Sequence, residues 1–339
     1  MNTRSLQAWQ RLRQHRSGWY AMLIFMGIVA ICMAANLIAN DKPLLVKYQQ
    51  SYYLPIWQEY SEQTFGGVFE TEANYRDPAV QQLINEKGWV IWPLIPYSEN
   101  TVNYEVTGSL PAAPSLQNWL GTDDQGRDVL TRILYALRHA LLFSFAVTLV
   151  SAIVGISMGA IQGYFGGWVD LIGQRILEVW SGLPMLFMLM ILVSVFTPNI
   201  YWLFVIMCFF AWTSLVDIVR AELLRARQLD YVMAARSIGA SHTRIIFRHI
   251  LPNVMQSSLS QLPFMLTANI TALTALDFLG YGLPADYASI GELLLQAKNH
   301  LDAPWLGISA FLSLAIVLAL LIYIGEALRD TLNPQQRLF

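Results

Sequence analysis

The residues able to do chemistry are few in this chain and scattered. Five histidines, His15, His139, His242, His249 and His300, lie at separate levels of the sequence. His242 and His249 would sit two turns apart on an unbroken helix, a poor start for a metal site. The four lysines, Lys42, Lys47, Lys87 and Lys298, follow no Gly-x-x-x-x-Gly-Lys phosphate loop. Neither His-Glu-x-x-His nor Gly-x-Ser-x-Gly occurs. The acidic run Gly121-Thr-Asp-Asp-Gln-Gly-Arg-Asp128 invites a calcium reading, but an EF-hand loop needs Asp where Gly121 stands. A turn leading into a helix, with Asp128 capping its first N–H groups, is the better reading. Cys32 and Cys208 both fall in apolar runs, which leaves no disulfide framework or zinc cluster. No catalytic centre, metal or cofactor is expected in this chain.

The elements that hold these residues are set by composition. Of 339 residues, 55% are hydrophobic and 13% charged, and the mean hydropathy is +0.43. Soluble domains carry about 25% charged residues, so the composition weighs against a water-soluble enzyme. The formal charge of -2 weighs against a nucleic-acid binder, which needs a basic excess. The chain reads as an all-α membrane protein.

A crossing needs about 20 mostly apolar residues. Six such stretches are expected: residues 19–38, 139–162, the two halves of 179–216, 252–276 and 303–325. Thr197-Pro198-Asn199 divides the long third run by a tight turn, because proline breaks the helix there. The first stretch is too long for a signal-peptide core, so it reads as an uncleaved anchor. Pro184 and Pro263 are expected to kink their spans. With the N-terminus inside, segments 1–18, 163–178, 217–253 and 325–339 hold 13 basic residues, whereas the short outer segments hold only Lys298. The positive-inside rule then places both termini in the cytoplasm. Residues 40–130 form one long outer insert. Its runs at 52–55 and 88–93 read as short extended segments, either in a small subdomain or in a belt on the membrane surface.

Charged residues fall only at the ends of the six spans: Asp217 and Arg220 close the fourth, Asp277 the fifth and Glu326 the sixth. Arg175 and Glu178 have the spacing of a helical ion pair. An ion-coupled secondary transporter wants a central Asp, Glu or His. It is therefore the weaker alternative, and a membrane-embedded enzyme is weaker still. The work must enter from outside the chain, and the loop at 220–253 is the place for it. Asp230 reads as the N-cap of a short helix and Gly239 as its C-terminal stop. Ser241 reads as the cap of a second short helix ended by Pro252. Ala234 and Ala235 would give the first helix a small-residue face that a partner could approach closely. Positive-inside charge explains Arg225, Arg227, Arg236, Arg244 and Arg248, but not the order of caps, alanines and glycine around them.

Met233-Ala-Ala-x-x-x-Gly239 followed by His-Ile-Leu-Pro-Asn at 249–253 resembles the EAA loop of ABC importer permeases. Met233 replaces the acidic residue usual there, and His249 an aliphatic one. Asn118-Trp-Leu-Gly-Thr-Asp-Asp-Gln-Gly-Arg-Asp128, Gly163-Tyr-Phe-Gly-Gly-Trp-Val-Asp170 and Leu276-Asp-Phe-Leu-Gly-Tyr-Gly-Leu-Pro284 resemble the dipeptide/oligopeptide branch of that family. Leu37-Ile-Ala-Asn-Asp-Lys-Pro-Leu-Leu-Val46, Phe65-Gly-Gly67 and the long insert resemble its Yej type, importers of peptides and microcin C. The resemblance implies a type I importer permease fold, with a first segment at 1–39, the insert at 40–130 and a core at 131–339. Its implied partners are a second homologous permease, a cytoplasmic ABC ATPase carrying ATP and Mg, a periplasmic peptide-binding protein and the bilayer. It implies ATPase coupling through Asp230, Tyr231, Met233, Ala234, Ala235, Gly239, Ala240, Ser241, Arg244, Leu251 and Pro252. No substrate-binding residue is assigned.

Overall fold

The computed structural model describes residues 12–106, 108–195 and 199–332. Arg4, Arg11 and Arg337, counted toward the inner charge, and the expected turn at Thr197-Pro198 lie outside the described residues. Among the described residues, five helices are apolar and long enough to cross a membrane: α1 (Arg16–Met33), α3 (Val129–Phe165), α6 (Ile200–Ala226), α8 (His242–Phe278) and α10 (Pro304–Leu332). A sixth crossing exists only as a bent pair, α4 (Gly167–Ser181) and α5 (Met185–Val195), which meet at 70°. The other helices of eight or more described residues are α2 (Pro78–Lys87), α7 (Asp230–Ser237) and α9 (Ile290–Asn299), beside the short helical turns Ala35–Ile38 and Glu62–Phe65.

The bend corrects the expectation of one kinked third span. Gly182-Leu-Pro184 stops α4, because Pro184 has no N–H and disfavours helix at Leu183. The chain restarts where the Met188 N–H reaches the Pro184 carbonyl at 3.1 Å. The 11 residues of α5 reach only about 16 Å at 1.5 Å each, well short of the hydrocarbon thickness. The stretch expected as an inner loop is largely α4, and the expected pair Arg175–Glu178 forms on its exposed face.

The described residues divide into two compact units. One holds those up to Gly27, Ala140–Pro284 and those from Ala315 on; the other holds Ile28–His139 and Ala285–Leu314. The first is helical. In it, Gly155, Gly159 and Gly163 form a stripe along α3 against α6. A Cβ at these positions would come within 2.5, 2.7 and 2.6 Å of the carbonyl oxygens of Trp212, Val216 and Arg220. Without side chains the two backbones close up, as small residues allow in a bilayer. Asn269 donates to the Thr148 hydroxyl at 2.9 Å, both buried, satisfying polar groups that lipid could not.

The second unit contains the structure of the insert, which is a folded subdomain. β1 (Leu45–Tyr48) is the middle strand of an antiparallel sheet, flanked by β2 (Ser51–Tyr53) and β3 (Gly88–Ile91). Asp77 caps α2 by accepting from the Ala79 N–H at 2.8 Å, and Pro78 fills the first helical position, where its missing donor costs nothing. Val46 and Tyr48 on the sheet and Val80 and Ile84 on α2 bury against Phe65 and Tyr75. The two expected extended runs are β2 and β3; β1 went unread because Lys47 and the adjoining Gln49-Gln50 blur its alternation.

The Gly121–Asp128 segment is the expected turn. The Asp128 carboxylate accepts from the Thr131 N–H at 2.8 Å and caps α3. Asp123 is taken up by its own loop and by Arg127, whose Nε donates to it at 2.7 Å.

Candidate functional site

The loop between α6 and α8 is built around one glycine terminator and one serine cap. Leu229 is extended, and α7 begins at Asp230 with no side-chain cap. Asp230 is thus not the expected N-cap but the first helical residue, where its charge still favours the positive helix end. The C-terminal end is as expected. Gly239 adopts φ +82°, a conformation that costs a side-chain-bearing residue about 1–2 kcal/mol. Its N–H reaches the Arg236 carbonyl at 3.0 Å, and the Ala240 N–H reaches the Ala235 carbonyl at 3.1 Å. This is the paired closure of a Schellman motif. Ser241 then caps the following helix, accepting from the Arg244 N–H at 3.4 Å.

The second half differs from expectation. Pro252 does not end a short helix, because His242–Phe278 runs on as one 37-residue element. Ile245–Ile250, just before the proline, widens into a π-helix. The wider turn makes room for the proline ring, and the Asn253 side chain donates to the His249 carbonyl at 3.2 Å. The loop is therefore one short capped helix, a glycine turn and the first turns of a spanning helix.

Burial sorts the residues of the loop. Val232, Ala235, Ile245 and Ile250 pack inward on Ala160 and Tyr164 of α3 and on Val219 and Leu223 of α6. Ala235 therefore faces the interior, and the expected joint Ala234–Ala235 face does not exist, since neighbouring helical residues point about 100° apart. Tyr231, Met233, Ala234, Gly239, Ser241, Arg244 and Pro252 are exposed, while Ala240 and Leu251 are half-buried. Tyr231, Met233 and Ile238 are exposed apolar side chains on a polar loop, Ile238 at 86%.

The contacts that hold the loop escaped sequence reasoning. Tyr164, from the Gly163-Tyr-Phe-Gly-Gly stretch, bonds through its hydroxyl to His242 Nδ1 at 2.8 Å, and the Arg236 guanidinium lies over its ring at 5.9 Å. Arg227 donates to the Tyr164 carbonyl at 3.5 Å. Arg220 pairs with Asp170 through two nitrogens, one at 2.8 Å. The sequence signal was present, since aromatic and acidic residues of one motif met basic residues of another, but the pairs span 50 to 78 residues. They fix the loop to the ends of α3 and α4.

A second polar cluster lies in the other unit. Arg132, fully buried, donates to Glu292 and, at 3.0 Å, to the Glu99 carbonyl. Arg127 reaches Glu292 at 2.8 Å, and Glu99 meets His139 at 2.9 Å. Burial pushes the Glu99 carboxyl up, but hydrogen bonds from His139 and the Ala288 N–H more than offset it and hold it below the ordinary carboxylate range. Burial and the neighbouring Asp123 push Asp124 up. Among the described residues no group of His, Cys, Asp and Glu is placed to hold a metal ion.

The loop is thus fastened to the apolar helices that flank it. Residues 151–338 match the family described as binding-protein-dependent transport system inner membrane component. The chain belongs to this family. Inner membrane ABC transporter permease protein YejE of Escherichia coli (strain K12) is 51% identical over 97% of this chain and 96% of that protein. Peptidoglycan transport system permease protein YejE of Agrobacterium fabrum is 43% identical over 97% of this chain and 92% of its own. Oligopeptide transport system permease protein OppC of Lactococcus lactis subsp. cremoris is 32% identical over 73% of this chain and 85% of its own. This member of the family is thus an inner-membrane ABC permease subunit with the type I importer fold, and no finding favours an ion-coupled transporter. The fully matched YejE relatives carry the insert within their aligned length.

Proposed function

We propose that this permease imports peptides or peptide-like compounds, and that ATP hydrolysed on a partner subunit drives it through the loop at 220–253. Peptide cargo is supported by relatives whose names specify oligopeptide or peptidoglycan transport. The loop supports the coupling role: Tyr231, Met233 and Ile238 stand exposed on and just after a short helix that is closed at its C-terminal end by the Gly239 turn, in a loop pinned through Tyr164, His242 and Arg220. An ATPase groove closing on that surface moves the loop as a body and tilts α3, α6 and α8 with it. Both termini and the loop lie in the cytoplasm in this reading, and the insert on the periplasmic side. The other members of the assembly are a second permease, the ATPase with its ATP and Mg, and a periplasmic binding protein.

Co-purification with the ATPase, followed by uptake of defined peptides in proteoliposomes, tests the reading. Uptake should need ATP inside and survive collapse of the proton gradient. Uptake that follows the gradient and ignores ATP overturns it.

A further inference from the structure

The small sheet has two faces, and only one is covered. Val46, Tyr48, Tyr53 and Val90 turn into the aromatic core around Phe65. Leu45, Lys47, Tyr52, Trp89 and Ile91 turn the other way. The register sets Lys47 opposite both Tyr52 and Trp89, and Leu45 opposite Ile91. Tyr52, Trp89 and Ile91 are exposed at 63%, 41% and 46%. Tyr52 and Trp89 meet edge to face at 6.5 Å, and the Lys47 ammonium lies 5.8 Å above the Tyr52 ring. Among the described residues, no carboxylate forms a salt bridge with Lys47.

The chain leaving β3 is tied to the segment that follows the first span. The Ile95 N–H donates to the Ile38 carbonyl at 2.9 Å, and the Asn40 N–H to the Ile95 carbonyl at 3.1 Å. Leu94 is therefore held beside the helix end, 69% exposed, between Ile91 on the sheet and Leu37 on the helical turn Ala35–Ile38. Exposed apolar side chains run from Ile31, Met33 and Leu37 through Leu94 to Ile91 and Trp89. A surface that starts on a spanning helix and ends in tryptophan, tyrosine and lysine has the composition of the membrane–water boundary. There aromatic bodies sit among acyl chains and polar tips stay wet.

We propose that the outward face of this sheet rests in the headgroup layer of the outer leaflet, with Lys47 directed at lipid phosphate. It rests on the reading that the insert lies outside the membrane as part of this permease.

The test uses the full permease with its partner subunits in nanodiscs, on a C32A/C208A background, with bimane attached at W89C, I24C or, as an exposed site off the sheet, E70C. Headgroup spin-labelled phosphatidylcholine should quench W89C about twofold or more beyond E70C, and aqueous iodide should quench it correspondingly less. Mid-chain spin-labelled lipid should quench I24C whatever the sheet does. Absence of I24C quenching by mid-chain spin-labelled lipid would overturn the membrane reading itself. I24C quenched while W89C behaves like E70C overturns the sheet proposal alone. Iodide shielding of W89C that appears only when the binding protein is added assigns the face to protein and also overturns it.

Discussion

At the residue scale, two side-chain-sized decisions govern the molecule, and only one could be read in advance. Gly239 was legible because a helix stop followed by a serine cap is a local pattern. A Cβ there meets nothing within 4 Å, so the constraint is the backbone conformation at φ +82° and not crowding. Gly239→Val should therefore cost about 1–3 kcal/mol locally and loosen the end of α7, lowering uptake and substrate-stimulated ATPase activity while membrane insertion stays intact. Gly239→Asn, which tolerates the left-handed region, should retain most of both. Normal transport by the valine variant would remove the loop from the coupling role. Arg132 was not legible, because Glu292 and the Glu99 carbonyl stand 160 and 33 residues away. Glu99 contributes a pH dependence to that cluster. Its folded pKa lies below the ordinary 4.5, so its contribution is present above that value and is lost as pH falls through the folded pKa. Thermal unfolding in detergent should show the wild type more stable than E99Q at pH 7, with the gap closing below about pH 4.5.

At the element scale, periodicity found the apolar helices but not their breaks or their fit. Hydrophobic runs mark where a helix can cross, and proline marks where it changes; neither says whether the change is a kink, a stop or a π turn. Pro263 is carried inside α8, Pro184 separates α4 from α5, and Pro252 is absorbed by widening of the preceding turn. The difference lies in which neighbours satisfy the freed carbonyl, and those are tertiary facts. The glycine stripe on α3 was present in the sequence as a four-residue repeat, Gly155, Gly159 and Gly163, and its meaning needed only the small-residue rule for membrane helices. Gly159→Ala places a methyl 2.7 Å from the Val216 carbonyl oxygen. Because that atom is backbone, the helices must part, at about 1–3 kcal/mol. The unfolding midpoint in detergent should drop, and Gly159→Leu should drop it further. Unchanged midpoints for both would mean that α3 and α6 do not pack through the stripe.

At the scale of the whole molecule, a formal charge of -2 conceals two opposed totals. Divided at the expected span ends, the segments assigned to the cytoplasm carry +6 and those assigned to the periplasm -8. The asymmetry sets orientation because lysine and arginine resist translocation more than acids do. It predicts which face each exposed side chain meets, independently of any transport assay. Ile238 on the loop and Trp57 on the insert are 86% and 79% exposed, so a cysteine at either place is open to reagent. In intact spheroplasts of a C32A/C208A background, a membrane-impermeant maleimide should label W57C at once. It should label I238C only after permeabilisation. The reverse order would invert the chain and take the loop away from any cytoplasmic ATPase. Equal labelling of both from outside would mean that the loop and the insert share a side. An odd number of crossings between them would then be ruled out, and the bent pair α4–α5 would have to be a re-entrant hairpin and not a span.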